Sequence, residues 1–477
     1  MNQLLLKSIL TALLFCTFQL SAQKQITLED ILTKAKSNVA SIRTAKTDLE
    51  IASAQMSFLE AELKPSLGLD LLLPNFTNTS TQVTQPDGSI TFQQVTQNNS
   101  SISLFANQNI AKTGGQLFVQ SDLQRFDNFS TDAKQYNGIP IRVGFIQPFF
   151  AFNRFKWQKQ ILDVLQKESV NAYNIAVEDA MWRATVLYFD VLLAQANRDI
   201  ASTNKGVNEK LVEITQERFD LGRNSRDQLL QIQMSLKATV LAENQANNDV
   251  QIAVHALYTY LGERTVENIT CEIPELPSSF QLNADELVQK AIKNRPEIIR
   301  YERELIEGDR EIARTRSQYG ISAELFAGFG FARGSESLED IYRNPFDEQQ
   351  VRLTVSVPLI DWGQKREAVK ISNLRKANIQ NRVVQETLEL ENDIRTKIYE
   401  FEQIQSDLVL LQEIKEVAEE RFEISNTRYT LGSISITDLT LSQREKDQTL
   451  RDYIEALTVY WSTYYELRTL CGVTSLE

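Results

Sequence analysis

The chain has 477 residues, 63 acidic against 50 basic side chains for a formal charge of −13, and 42 % hydrophobic residues. That balance gives no electrostatic footprint for a nucleic-acid partner, and one histidine with three cysteines cannot build the usual His/Cys metal sites. The length exceeds what one ordinary core needs, so two domains or an internal duplication is expected.

The start, MNQLLLKSILTALLFCTFQLSAQKQ, carries Lys7, an apolar run from Ile9 to Leu20 and small residues before Gln23. This predicts a secretory signal over residues 1–22, cut after Ala22. Cys16 follows Leu14-Phe15 rather than small residues, so no acyl anchor is expected. No later apolar run approaches the ~18 residues of a spanning helix. Of the two remaining cysteines, a Cys271–Cys471 disulfide is chemically possible, but two separate thiols are the expectation.

Gly222 and Gly432 open the case for duplication. At an offset of 210 positions, Pro148 aligns with Pro358, Arg218-Phe219 with Arg428-Tyr429, Leu221-Gly222 with Leu431-Gly432, Ser225 with Ser435, and Gly262 with Gly472. Upstream, LTKAKSNVASI (32–42) resembles VQKAIKNRPEI (288–298) at an offset of 256, so the first copy holds about 46 extra residues between Pro65 and Pro148. A unit this long is a two-fold duplication rather than a solenoid. Repeat 1 is placed at 23–262, a linker at 263–283 and repeat 2 at 284–477, each repeat with a helix, a β segment (about 66–148 and 321–360) and a long helical hairpin.

The stretches from Gly363 to Gly432 and from Gly432 to Gly472 contain no other glycine and no proline, which predicts one helix of ~100 Å and a shorter one of ~58 Å at ~1.5 Å per residue. Ile394, Ile398, Phe401, Ile404, Leu408, Leu411 and Ile414 step by three and four, so one narrow stripe is buried along partner helices. A fibrous coiled-coil spacer fits this region alone equally well. The glycines mark hairpin tips, where a left-handed residue lets the chain reverse, and Ser225 and Ser435 are the candidate caps of the returning helices.

Period-two alternation predicts strands between the helices. ISAELFAGFGFARG puts Leu325, Ala327, Phe329 and Phe331 on one face, and VRLTVSVPLIDWG puts Val351, Leu353, Val355 and Val357 opposite Arg352, Thr354 and Ser356. Their lengths suit a tilted strand crossing hydrocarbon. A half-buried soluble sheet is the alternative for two such strands in isolation, but not for strands that follow a secretion signal and alternate with very long helices. GFGFARG lacks a following Lys-Ser/Thr and is no phosphate loop. In repeat 1, SLGLDLLLP (66–74), SISLFANQNI (101–110), QLFVQSDLQ (116–124) and IPIRVGFIQPFF (139–150) are strand candidates. Two or four crossing strands both satisfy the parity that returns the chain to the helical side. The polar stretch from Pro74 to Ser101 reads as an external loop.

NRPEI (294–298), a proline before each descending helix (QPFFAFNRFKW and VPLIDWGQKRE), and the tips RFDLG and RYTLG followed by SRDQLL and SITDLT recur in order. In these marks the chain resembles the TolC-like outer membrane factors, over nearly all its mature length. The resemblance implies an α+β membrane protein: a homotrimer whose shared transmembrane β-barrel continues as a long periplasmic α-helical barrel, girdled by short helices near Ala284 to Asn294 and the C-terminal end. It implies the outer membrane of a Gram-negative bacterium as location, outer membrane lipid as surroundings, and a periplasmic adaptor and inner-membrane pump as partners.

By position, Asp438 matches the first acid of the family's periplasmic gate and Tyr429 a latch tyrosine, whereas Leu441 and Ile434 replace the second acid and a latch arginine. Leu221, Gly222 and Arg223, with Leu431, Gly432 and Ser433, match the adaptor-contact tips. Three converging carboxylates would repel, raising their pKa and favouring cations; a solvated helix-start acid is the plainer role for Asp438. No catalytic constellation, metal or cofactor is expected, and His255 reads as a packing residue. The function implied is a passive exit duct of a tripartite efflux or type I secretion system; the alternative is a periplasmic coiled-coil structural or adaptor protein without a pore. The scattered Met56, Met181 and Met234 suggest no copper path.

Overall fold

The computed structural model describes residues 24–275 and 279–476, so the expected signal segment lies outside the described residues. They form two compact units, each drawing on both sequence repeats.

The first unit comprises residues 24–47, Asn171–Arg295 and 388–476. It contains strand β1 (Lys24–Ile26), helix α1 (Leu28–Asn38), the start of α2 (Ala40–Glu62) and most of α3 (Arg154–Asp220). Helix α4 (Arg226–Tyr260), a second short strand at Ile269–Cys271, helix α5 (Ala284–Asn294), much of a helix at Gln364–Thr430, and a final helix at Ile436–Cys471 complete it. Four long helices bury one stripe each, through Tyr188, Leu257, Phe401 and Leu457 among others. The stripe anticipated on the Gln364–Thr430 helix is buried at Ile394, Ile398, Phe401 and Leu408, but Ile414 is exposed.

Gly206 does not interrupt α3, although it ends the glycine-free run in the sequence: it lies in open space and carries only the propensity cost of about 1 kcal/mol. β1 pairs in parallel with the short Ile269–Cys271 strand. Two α3 side chains two turns apart tether this pair: Tyr188 Oη donates to the Glu272 carbonyl at 2.6 Å, and the buried Gln195 amide donates to the Ile269 carbonyl and accepts from the Cys271 N–H at 2.7 and 2.9 Å. Cys271 and Cys471 are separate buried thiols, burial pushing each up to about 12.

The second unit comprises Asp48–Val170 and Pro296–Thr387. Its seven-stranded antiparallel sheet contains β2 (Ser66–Leu72), β3 (Phe76–Thr84), β4 (Ile90–Asn109), β5 (Gln116–Asn128), β6 (Ala133–Phe149), then, numbering the Ile269–Cys271 strand β7, β8 (Ser322–Ser335) and β9 (Phe346–Ser356). α6 is Pro296–Gln318, a short α7 (Leu338–Arg343) sits between β8 and β9, and the two remaining helices are α8 (Gln364–Thr430) and α9 (Ile436–Cys471). β2 and β3 lie end to end along one edge of the long β4, so repeat 1 fills four positions across the sheet and repeat 2 two.

The stretch read as an external loop is instead the β3–β4 hairpin. Its Thr-rich alternation is strand-forming without being apolar, and Gly88 at φ +83 closes the turn as its N–H donates to the Gln85 carbonyl.

The register aligns one apolar row across the whole sheet. Leu69 opposes Leu104, Ala106 opposes Val119, Val119 opposes Val143, Val143 opposes Phe329, and Leu325 opposes Leu353. No described residue covers this row: Leu67 is 75 % exposed and Val351 77 %. The opposite face is polar, with Ser103 donating to Asp122 at 2.6 Å and Arg142 paired with Glu348. Phe118 and Phe326 stack flat on that face at 5.6 Å, which requires Gly144, because a Cβ there would meet the Phe118 ring at 2.6 Å. No helix among the described residues is long and apolar enough to cross a membrane.

In the first unit, Arg468 and Glu178 form a buried ion pair at 2.7 Å, and burial pushes the Glu178 carboxyl up despite its partner. Removing one member strands a buried charge, which typically costs about 3–5 kcal/mol. Arg468→Met should therefore lower the thermal midpoint in detergent markedly, and adding Glu178→Gln should restore most of the loss. An undiminished midpoint in Arg468→Met would show the pair to be inert.

Candidate functional site

α3 and α8 end in the same device. The Gly222 N–H donates to the Phe219 carbonyl at 2.8 Å and the Arg223 N–H to the Arg218 carbonyl at 2.8 Å; Gly432 and Ser433 repeat this with Tyr429 and Arg428 at the same distances. These are Schellman closures, and both glycines are left-handed, with φ +71 and +78. Ser225 and Ser435 then cap α4 and α9 through reciprocal boxes with Gln228 and Asp438. Leu221 and Leu431 project from the turns, 69 % and 76 % exposed.

Tyr429 and Asp438 occupy different surroundings. Tyr429 is buried with Leu211, Ile232 and Leu439, Ile434 packs beside them, and the Arg218 guanidinium lies 5.6 Å from the Tyr429 ring centre. The second hairpin is thereby joined to the first through an aromatic ring and a cation. Asp438 is solvated. Its Oδ2 accepts from Ser435 Oγ at 2.7 Å and from the Ser435 N–H at 3.3 Å, and these bonds hold the carboxyl below its ordinary range. It borders a groove of about 540 Å³ shared with Arg428, Arg421, Ile434 and Leu441.

Sequence reasoning missed a polar knot above the tips. Asn204 donates to the buried Asp447 at 2.6 Å and accepts from Gln443, linking α3 to α9, while Ser235 of α4 donates to Asn208 at 3.1 Å. The available signal was a pair of asparagines one turn apart, Asn204 and Asn208, between the buried Ala201 and Leu211. His255, expected to pack, is exposed, because Val254 and Leu257 take the inward positions of its turn. Among the described residues no group of three His, Cys, Asp or Glu side chains could hold a metal ion.

The profile described as outer membrane efflux protein matches residues 31–263 and 287–473. The chain belongs to the outer membrane efflux protein family. The Campylobacter jejuni CmeC outer membrane channel resembles it with a TM-score of 0.69 at 15 % identity, covering 93 % of this chain and 85 % of that one. The outer-membrane channel OprN gives 0.68 at 16 % identity, covering 94 % and 91 %. VceC, an outer membrane protein of Vibrio cholerae, gives 0.64 at 13 %, covering 94 % and 97 %. At these identities the likeness is one of fold, the two-repeat TolC-like α+β fold. None of the curated proteins compared by sequence matches. This outer membrane efflux protein thus has the architecture of a channel, and a pore-free coiled-coil protein would have no use for its uncovered apolar sheet face.

A Cβ added at Gly222 meets no heavy atom within 4 Å, and at Gly432 only the end of Arg218, so the penalty of substitution is backbone strain alone. Gly222→Ala and Gly432→Ala should each destabilise the purified protein by about 1–2 kcal/mol, the usual left-handed penalty, measured by chemical unfolding in detergent. A loss several times larger would mean the tips are packed rather than open.

Proposed function

We propose that three copies of this chain close into one duct that carries cargo passively through the outer membrane, as the exit component of a tripartite efflux or type I secretion assembly. The observation that carries this is the sheet: apolar on one uncovered face, polar on the other, with β2 and β9 as unpaired edges. Hydrocarbon tolerates no open edge, so β9 of one copy pairs with the β2 edge of the next until the barrel closes. Six crossing strands per chain and three copies give a barrel in the ~16–18-strand class, which encloses an aqueous channel. The helical hairpins are the periplasmic part, an adaptor contacts Leu221, Gly222, Arg223, Leu431, Gly432 and Ser433, and an inner-membrane pump supplies the energy. Gly222→Val or Gly432→Val should block efflux while leaving assembled trimer in the membrane, and normal export by both variants would refute the tip assignment.

Asp438 is the acid of the proposed periplasmic gate and Tyr429 holds the tip that carries it. Mutual repulsion of three carboxylates raises their pKa, whereas the Ser435 bonds lower it. A depressed carboxyl stays ionised as pH falls below the ordinary carboxyl range, so cation preference should persist into mild acid and vanish only below it. In planar bilayers Asp438→Asn should abolish the preference at neutral pH, and Ser435→Ala should move its loss to higher pH. Unchanged selectivity in Asp438→Asn would remove Asp438 from the gate.

A further inference from the structure

The apolar row of β9 does not stop where the strand does. Val351, Leu353, Val355 and Val357 alternate with polar residues. After Val357 the alternation ends, yet apolar exposure rises, to 90 % at Leu359, 73 % at Ile360 and 95 % at Trp362. Repeat 1 has the same feature where β6 gives way to α3: Phe149 is exposed, and Phe150 is 75 % exposed. Trp362 and Phe150 both sit at positive φ, +52 and +60, a conformation bulky residues rarely adopt. In water such a placement is unfavourable twice over, through strained backbone and unburied aromatic surface.

Both segments lie at the helical end of the strands, and basic residues follow at once: Arg154 and Lys156 after Phe150, Lys365 and Arg366 after Trp362. Arg316, Lys365 and Arg366 line one groove of about 550 Å³ with Asp361, Gly363 and Val369. Asp361 accepts from the Gly363 and Lys365 backbone N–H groups at 3.0 and 3.2 Å rather than from a cationic side chain, and its one charge faces the three cations of the groove. Arg366 is paired with Glu367 at 3.0 Å but remains 83 % exposed.

We infer that Leu359, Ile360 and Trp362 sit in the edge of the bilayer leaflet at the helical end of the barrel, and that Arg316, Lys365 and Arg366 bind the phosphate of an anionic phospholipid there. Two observations select this partner. The apolar apron is continuous with the lipid-facing strand row, and the charge directly beyond it complements a headgroup phosphate. An interfacial tryptophan above a hydrocarbon-facing strand and beside arginine is the arrangement that boundary favours.

The inference rests on the membrane-barrel reading, so the test separates the two. Full-length protein is reconstituted in vesicles of phosphatidylcholine with a minor share of phosphatidylglycerol, with bromine carried near the ester linkage of one lipid or the other. The fluorescence of Trp362 is taken as wild type minus Trp362→Phe. The expected result is quenching by brominated phosphatidylglycerol well above that by brominated phosphatidylcholine at equal mole fraction, with the excess lost in Arg316→Gln/Lys365→Gln/Arg366→Gln. Equal quenching by both lipids overturns the anionic site. A reporter at Leu353→Trp in the Trp362→Phe background supplies the control. If that reporter is quenched and Trp362 is not, the inference fails while the barrel stands; if neither is quenched, the barrel reading fails with it.

Discussion

A sheet with leucine, valine, isoleucine and phenylalanine on one uncovered face and aspartate, arginine, serine and glutamine on the other is at rest only between hydrocarbon and water. Fully burying one such apolar side chain is worth on the order of 1.5–3 kcal/mol, and the row repeats on every strand, so an isolated copy in water forgoes a stabilisation comparable to a whole domain's. The helices cannot make good the deficit. Their stripes are narrow and already spent on one another, at Tyr188, Leu257, Phe401 and Leu457.

The duplication follows from the same constraint. An even number of crossing strands returns the chain to the side from which it left, so each repeat can attach its β segment to helices at both ends. Repeat 1 enlarges its share to four strands without disturbing the hairpins, because the added β4–β5 pair turns at Gly114 and leaves helix entry and exit where they were. At the hairpin tips, two Schellman turns close with the same distances in both repeats, and a serine cap opens the returning helix in each. What differs between them is chemistry: Gln228 in one cap, Asp438 in the other, and Tyr429 under Arg218.

Much of this was legible in the sequence. The faces of β8 and β9 followed from period-two alternation, and the two tips from glycines isolated in long runs that repeat at one offset. Elsewhere the local signal was weak or absent. The β1–β7 pair is three residues long on each side and exists because Tyr188 and Gln195 hold it, which no window of sequence displays. The β3–β4 hairpin is mostly threonine, asparagine and glutamine, with Phe76, Ile90 and Phe92 scattered on one face, so alternation of hydrophobicity marked it only weakly. The Asn204–Asp447 bond joins residues 243 positions apart. At the tips, the positions of Tyr429 and Asp438 came from resemblance and Ser435 from its place as a helix cap, whereas the Arg218 cation over Tyr429 and the bonds from Ser435 to Asp438 emerged only from packing and hydrogen bonding.

The central claim is that one face of the sheet meets lipid and the other water, and nitroxide accessibility along β9 tests it most directly. Single cysteines introduced from Val351 to Val355 can be labelled selectively, since Cys271 and Cys471 are buried thiols pushed up to about 12. In reconstituted vesicles, labels at 351, 353 and 355 should collide preferentially with oxygen dissolved in the bilayer, and labels at 352 and 354 with a water-soluble nickel chelate. Labels that all favour the chelate, or show no alternation, would contradict the account.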